Sequence, residues 1–159
     1  MTAEPDQAAF THREMITFDI DAQSYCMDIM RVREIRGWTE VTVLPHAPDY
    51  VLGIINLRGS VVPIVDLSAR LGLAPLEPGP RHVILVTQLG PRMVGFLVTA
   101  VSDIFDVDAA GIQPIPRVWG NTQPSFLEGV IAGEERSLGV LDVAAAAPEI
   151  GLPDDGAAL

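Results

Sequence analysis

Lysine is absent from the 159-residue chain, and all ten basic residues are arginine. Every basic site is therefore a planar guanidinium that stays charged. The single cysteine, Cys26, excludes an internal disulfide framework and any zinc site built from a cysteine cluster. No apolar run approaches the roughly 20 residues that a membrane-spanning helix needs, because Pro, Gly or a charge interrupts each one. Positive charge is scarce too: 21 acids against ten Arg give a net charge of −11. That balance argues against binding driven by phosphate neutralisation. With only 6% aromatics, a basic stacking groove for single-stranded nucleic acid is also excluded. The opening Met1-Thr2-Ala3-Glu4-Pro5-Asp6 is acidic and lacks an apolar core segment, so no secretory signal is expected. The expectation is a soluble cytoplasmic protein.

What is present is apolar and finely punctuated. Apolar residues make up 48% of the chain, too many for a disordered segment. Fourteen Gly and 13 Pro divide them into short runs, which favours short strands over long helices. The length suits one domain, or two small halves sharing a core. Charge is uneven: residues 1–15 and 16–73 each carry −2, and residues 74–159 carry −7.

Ile16, Phe18 and Ile20 alternate with polar residues, and Tyr25, Met27 and Ile29 continue the alternation after Ala22-Gln23-Ser24. That period of two predicts a hairpin. In Arg31–Arg36 the apolar spacing changes from two to three, which predicts a bulge or one helical turn. Val41 and Val43 read as a short strand. Between Tyr50 and Asp66, two β-branched runs flank Arg58-Gly59-Ser60, with Gly59 supplying the positive φ of a hairpin turn. Pro63 removes a ladder donor and so points to an edge strand or an outward N–H position. Asp66 reads as the N-cap of a short helix that stops at Gly72. A Pro/Gly-rich connector at 74–80 is the best boundary. Beyond it, strands are expected at 83–87, 93–100, 112–116, 126–131 and 137–141. An acidic loop carries Asp103, Asp106 and Asp108, a polar loop spans 117–125 and a turn spans 132–136. Asp142 caps a last helical turn. Both halves end in a strand, an Asp and a helical turn, which suggests two related β units, each closed to hide its edges.

The catalytic patterns fail one by one. His12, His46 and His82 lie in unlike contexts, without partners at ligand spacing. Asp103, Asp106 and Asp108 lack the Gly and Glu that a calcium loop requires. Asp66-Leu67-Ser68-Ala69 lacks the Gly of an aspartic-protease turn, so Asp66 is a cap. Cys26 reads as a packed thiol. No phosphate loop or dinucleotide fingerprint occurs. No catalysis, cofactor or metal is expected. Arg31, Arg33 and Arg36 around Val32, with Arg58 at a hairpin tip, point instead to a protein-binding surface.

Several spaced blocks together resemble the CheW family of bacterial chemotaxis coupling proteins. They are Val32-x-Glu34-Ile35, Pro48, then Gly53-x-x-Asn56-Leu57-Arg58-Gly59-x-x-x-Pro63-x-x-Asp66-Leu67. Val94-Gly95-x-x-Val98-x-x-Val101-Ser102-Asp103-Ile104, Ile112-x-Pro114-x-Pro116, Phe126-x-x-Gly129-Val130 and Leu138-x-x-Leu141-Asp142 follow in order. The resemblance implies an all-β fold of two five-stranded SH3-like barrels in one domain, residues 15–147. The first barrel would cover about 16–73 and the second about 82–147, with room for the first strand to complete the second barrel. Residues 1–14 and 149–159 would be flexible tails.

The resemblance also implies an adaptor between the regulatory domain of the histidine kinase CheA and the cytoplasmic tips of methyl-accepting chemoreceptors. Such a protein would be cytoplasmic and recruited to membrane-associated receptor arrays. The length leaves no room for a kinase or receiver domain, so a stand-alone coupler is expected. Carried over by motif, Val32, Glu34, Gly53, Asn56, Arg58 and Gly59 would face the receptor, and Val41 and Leu52 the kinase. The face around the Arg117–Phe126 loop would add contacts in ring-shaped arrays. Two departures stand out. Thr99 replaces the family's usual Asp, and Pro148 cuts short a final helix that is often longer. The competing reading is a β-barrel ligand-binding or accessory regulatory subunit outside chemotaxis.

Overall fold

In the computed structural model, which describes residues 12–115, 124–133 and 137–148, the first alternating segment forms a hairpin of β1 (His12–Ile20) and β2 (Gln23–Asp28). Phe18 pairs with Tyr25 across it, their rings stacked with centroids 5.9 Å apart. β1 begins at His12, inside the expected tail 1–14, because its first residues pair with Asp108, Val107 and Asp106 of a distant strand. Of the sequence expectations, the tails at 1–11 and 149–159 lie outside the described residues. So do most of the polar loop at 117–125 and residues 134–136 of the turn at 132–136.

Both devices expected near Arg31 occur. The Asp28 carboxylate accepts the Met30 N–H at 2.9 Å and caps a single 3-10 turn, Ile29–Arg31. A bulge between Val32 and Glu34 then opens β3 (Val32–Gly37). Val41 and Val43 do not form a strand. Only one bridge occurs there, Thr42 to Ile54 of β4 (Val51–Leu57), through two backbone hydrogen bonds of 2.8 and 2.9 Å. β5 (Ser60–Asp66) is not an edge strand. It tolerates Pro63 because its second partner is engaged only from Ile64 onward. Asp66 caps α1 (Leu67–Arg70) as expected, accepting N–H groups of Ala69 and Leu76.

The second half contains β6 (Val83–Leu89), β7 (Arg92–Val98), β8 (Ala100–Asp108), β9 (Ile112–Gln113), β10 (Leu127–Ala132), β11 (Ser137–Leu141) and α2 (Val143–Ala146). The expected acidic loop is a correction: Asp103, Asp106 and Asp108 lie on β8, a nine-residue strand held by its ladder to β1. Its three exposed carboxylates are charged positions of an edge.

The strands form two sheets, ordered β8-β1-β2-β11-β10-β9 and β3-β6-β7-β5-β4. These sheets do not follow the division into 16–73 and 82–147. The leading hairpin of each half inserts into the sheet of the other: β1-β2 lies between β8 and β11, and β6-β7 lies between β3 and β5. Two parallel contacts, Cys26 with Val140 and Val65 with Phe96, are the signature of this exchange. The second sheet has five strands, as expected. The first has a sixth, β9, which is its closing strand.

Closure is alike in both. In the five-stranded sheet Thr42 bridges Ile54, and in the six-stranded one Gln113 pairs with Val130. Each contact lies beside a buried glycine. A Cβ on Gly53 would overlap the Thr42 carbonyl and lie 2.8 Å from Val41 Cγ2. A Cβ on Gly129 would lie 2.6 Å from the Gln113 carbonyl oxygen and 2.7 Å from Ile112 Cγ2. Each glycine follows a register shift, between Val51 and Gly53 or between Leu127 and Gly129. Here the lack of a side chain lets one strand edge approach the other and close the barrel.

One core cluster spans both sheets. Ile16, Phe18 and Tyr25 pack in it with Val62, Ile64, Phe96 and Leu97. A smaller one, Met15, Cys26, Ile131 and Val140, fills the six-stranded barrel. Arg70, at the end of α1, ties the two ends together. Its guanidinium donates to the carbonyls of Ala145, Ala146 and Ala147 and lies over the rings of Tyr50 and Phe126. It thereby caps α2, which stops before Pro148. The departure at Thr99 is a local hydrogen bond: its hydroxyl accepts the Asp21 N–H at 2.9 Å and steadies the β1–β2 turn.

Gly129→Ala should cost about 2 kcal/mol by overpacking at the closure, read as a lower urea midpoint with an unchanged slope. An unchanged midpoint would contradict the closure role.

Candidate protein-interaction surface

The β4–β5 turn has Arg58 and Gly59 at its centre, with φ of 51° and 88°. Two successive positive φ values are those of a tight hairpin turn whose twist matches its strands. The sequence pointed to Gly59 alone; Arg58 adopts the left-handed region as well. Asn56 supports the turn, its side-chain Oδ1 accepting the Gly59 N–H at 3.0 Å. Leu57 is buried and anchors the base.

This turn projects Arg58 toward β3, the opposite edge of the five-stranded sheet. Arg58 Nη2 donates to Glu34 Oε1 at 2.9 Å, and Arg36 Nη1 donates to Glu34 Oε2 at 3.0 Å. The side chain of Arg58 is 72% exposed and that of Glu34 only 21%. The carboxylate is thus tucked in while the guanidinium stays available. The hydrogen bond from Arg58, then that from Arg36, holds the Glu34 carboxyl below its ordinary range. Ion pairs this open contribute little to stability; what this one supplies is direction for Arg58. In the sequence Arg36 was grouped with Arg31 and Arg33 around Val32 as part of a protein-binding surface, with no ion pair assigned to it. The missed signal was its spacing of two from Glu34, which puts both on one face of a strand.

The other nominated residues divide by depth. Gly53 is buried and shapes the surface through the close passage of Val41 and Thr42. Val41, Leu52 and Val32 are half-buried against the main core. The structure therefore joins Glu34 to Arg58, groups Asn56 with Gly59, and sets Val41 against Gly53. Exposed apolar side chains on this half include Met30, Ile35, Val43 and Val61, none of which the sequence nominated as a contact residue.

Among the described residues no group of three or more His, Cys, Asp and Glu side chains could hold a metal, and no helix is long and apolar enough to cross a membrane. Cys26 is fully buried, and burial pushes its thiol up to about 12. Asp66 is also buried, and desolvation raises its pKa against the opposing pull of the N–H groups of Leu76, Ala69 and Ser68.

Two interwoven SH3-like barrels, with their distinctive surface chemistry at a latched arginine hairpin, define a class of small all-β scaffold. The chain belongs to the CheW-like family: the family model described as CheW-like domain matches residues 14–150. It is 53% identical over 131 residues to the chemotaxis protein CheW of Rhizobium meliloti, covering 82% of this chain and 84% of that protein. It is 49% identical to a probable chemotaxis protein CheW of Rhizobium etli, covering 84% and 86% respectively. Among solved structures, the scaffolding protein CheW of Thermoanaerobacter tengcongensis matches with a TM-score of 0.75 at 26% identity, covering 82% of this chain and 84% of that one.

Two outcomes follow. Carboxyl NMR should place the Glu34 titration below that of an ordinary glutamate, and Arg58→Ala should raise it. The ion pair then persists as pH falls until the lowered Glu34 pKa is crossed; a normal midpoint in both proteins would contradict the latch. Iodoacetamide should leave Cys26 unlabelled in the native protein and label it in denaturing urea. Rapid native labelling would contradict a buried, protonated thiol.

Proposed function

We propose that this protein is a non-enzymatic chemotaxis adaptor that joins the regulatory domain of the histidine kinase CheA to the cytoplasmic tips of methyl-accepting receptors. It would act in the cytoplasm, at receptor arrays. The observation that carries this reading is the exposed Arg58, aimed by Glu34 across the closed barrel edge, in a chain of the CheW-like family. A receptor tip is a helical hairpin, and a helix docks through spaced apolar anchors and a charged contact. Arg58 is the charged contact, and Val32 the apolar one. Asn56 and Gly59 set the turn, and Gly53 sets the barrel edge behind it. Val41 and Leu52, flanking that closure, are the kinase-facing residues in this reading.

The protein acts by placement. Holding kinase and receptor together raises their effective concentration for each other. Receptor state then biases the kinase to the extent that contacts differ between its on and off states. Arg58→Asp should weaken binding of a receptor-tip fragment by about 2 kcal/mol, or roughly 30-fold, in calorimetric titration. The unfolding midpoint should hardly move, since the residue lies at an exposed turn. Unchanged affinity would contradict the assignment of Arg58, and failure to bind the CheA regulatory domain would contradict the adaptor reading.

A further inference from the structure

The six-stranded barrel is closed only over a short length. β9 meets β10 at two residue pairs, Gln113–Val130 and Ile112–Ile131. Beyond Ile131, a cleft of about 870 Å³ runs between β8 and the end of β10. Its β8 wall includes Ser102, Asp103, Phe105, Asp106 and Val107. Successive residues of a strand point to opposite faces. Phe105, Asp106 and Val107 are consecutive, so the cleft meets the edge of β8, while Thr17 and Asp19 of β1 and Ser24 of β2 extend it over the neighbouring face of the sheet. Among the described residues β8 pairs with β1 alone, so this edge has backbone donors and acceptors to offer.

The lining has a definite chemistry. Phe105, Val107, Ile131 and Leu138 give it an apolar floor continuous with the small core of this barrel. Asp19, Asp103 and Asp106 contribute three carboxylates, and among the described residues none of the lining is basic. We propose that this cleft is a docking groove for an extended segment of a partner protein with alternating apolar and basic residues. The segment adds as a strand to the free edge of β8. Its backbone pairs with the edge, its apolar side chains meet the floor, and its Arg or Lys side chains meet the carboxylates. Charge complementarity selects this occupant. The chain's own segments 1–11 and 149–159 are both acidic in sequence and lack the complementary charge. The groove is separate from the Arg58 surface, and the inference does not depend on the adaptor reading.

The test uses a fluorescent peptide of alternating valine and arginine, titrated against the full chain by polarisation. Three controls accompany it: the valine–glutamate peptide, the valine–arginine peptide with alternate amides N-methylated, and the Asp103→Asn/Asp106→Asn protein. The expected result is saturable binding of the first peptide, with slowed hydrogen exchange at β8 amides between Ser102 and Asp106. Neither control peptide should bind, and the double variant should weaken binding about tenfold. Equal binding of the N-methylated peptide would overturn strand addition. Absence of binding, with self-association of the double variant, would instead make the carboxylates guards of the edge. Dimers of the unaltered protein that the double variant disrupts would assign the groove to a second copy.

Discussion

Each half of the chain lends its leading hairpin to the other, and the rest of the molecule depends on that exchange. Without β6 and β7, β3 would have no partner and β5 would be left with β4 alone. Without β1 and β2, β8 would stand apart from β11 in the same way. The main core inherits this dependence. Phe18 and Tyr25 come from one hairpin and Phe96 and Leu97 from the other, and all four are fully buried in one cluster. A half-chain of this size, left to itself, would expose much of the apolar surface that the pair conceals.

The interaction surface is built on the woven frame rather than beside it. Glu34 and Arg58 belong to opposite edges of the five-stranded sheet, so their contact exists only after the sheet has curled closed. That closure needs a residue without a side chain at Gly53, where the chain at Val41 and Thr42 passes over β4. A buried glycine thus acts on a surface that it barely reaches. The same logic explains why open ion pairs matter here without contributing much energy: they fix where a guanidinium points on a frame already held by apolar burial.

Local features were legible in the sequence because their causes are local. The Arg58–Gly59 turn, the Asp66 and Asp142 caps and the β1–β2 hairpin each depend on residues within a few positions. The family resemblance added the barrels and the surface. Pairing over long distances was not legible. Asp103, Asp106 and Asp108 look like an acidic loop until β1 is laid against them, and Val41 and Val43 look like a strand until Thr42 alone is found to pair. The division at 74–80 was misleading for the same reason: the connector is a real break in the chain but not a break between sheets. The Arg36–Glu34 ion pair was hidden more simply, since only a spacing of two from Glu34 sets Arg36 apart from Arg31 and Arg33.

The most direct measurement is fragment complementation, with the chain divided inside the connector into residues 1–77 and 78–159. The hairpin exchange predicts that each fragment alone gives the collapsed amide spectrum of an unfolded chain. Mixing them should restore the dispersed spectrum of the intact protein at a one-to-one ratio. A fragment that folds cooperatively by itself would contradict the account, since it would mean that one barrel closes without the hairpin supplied by the other half.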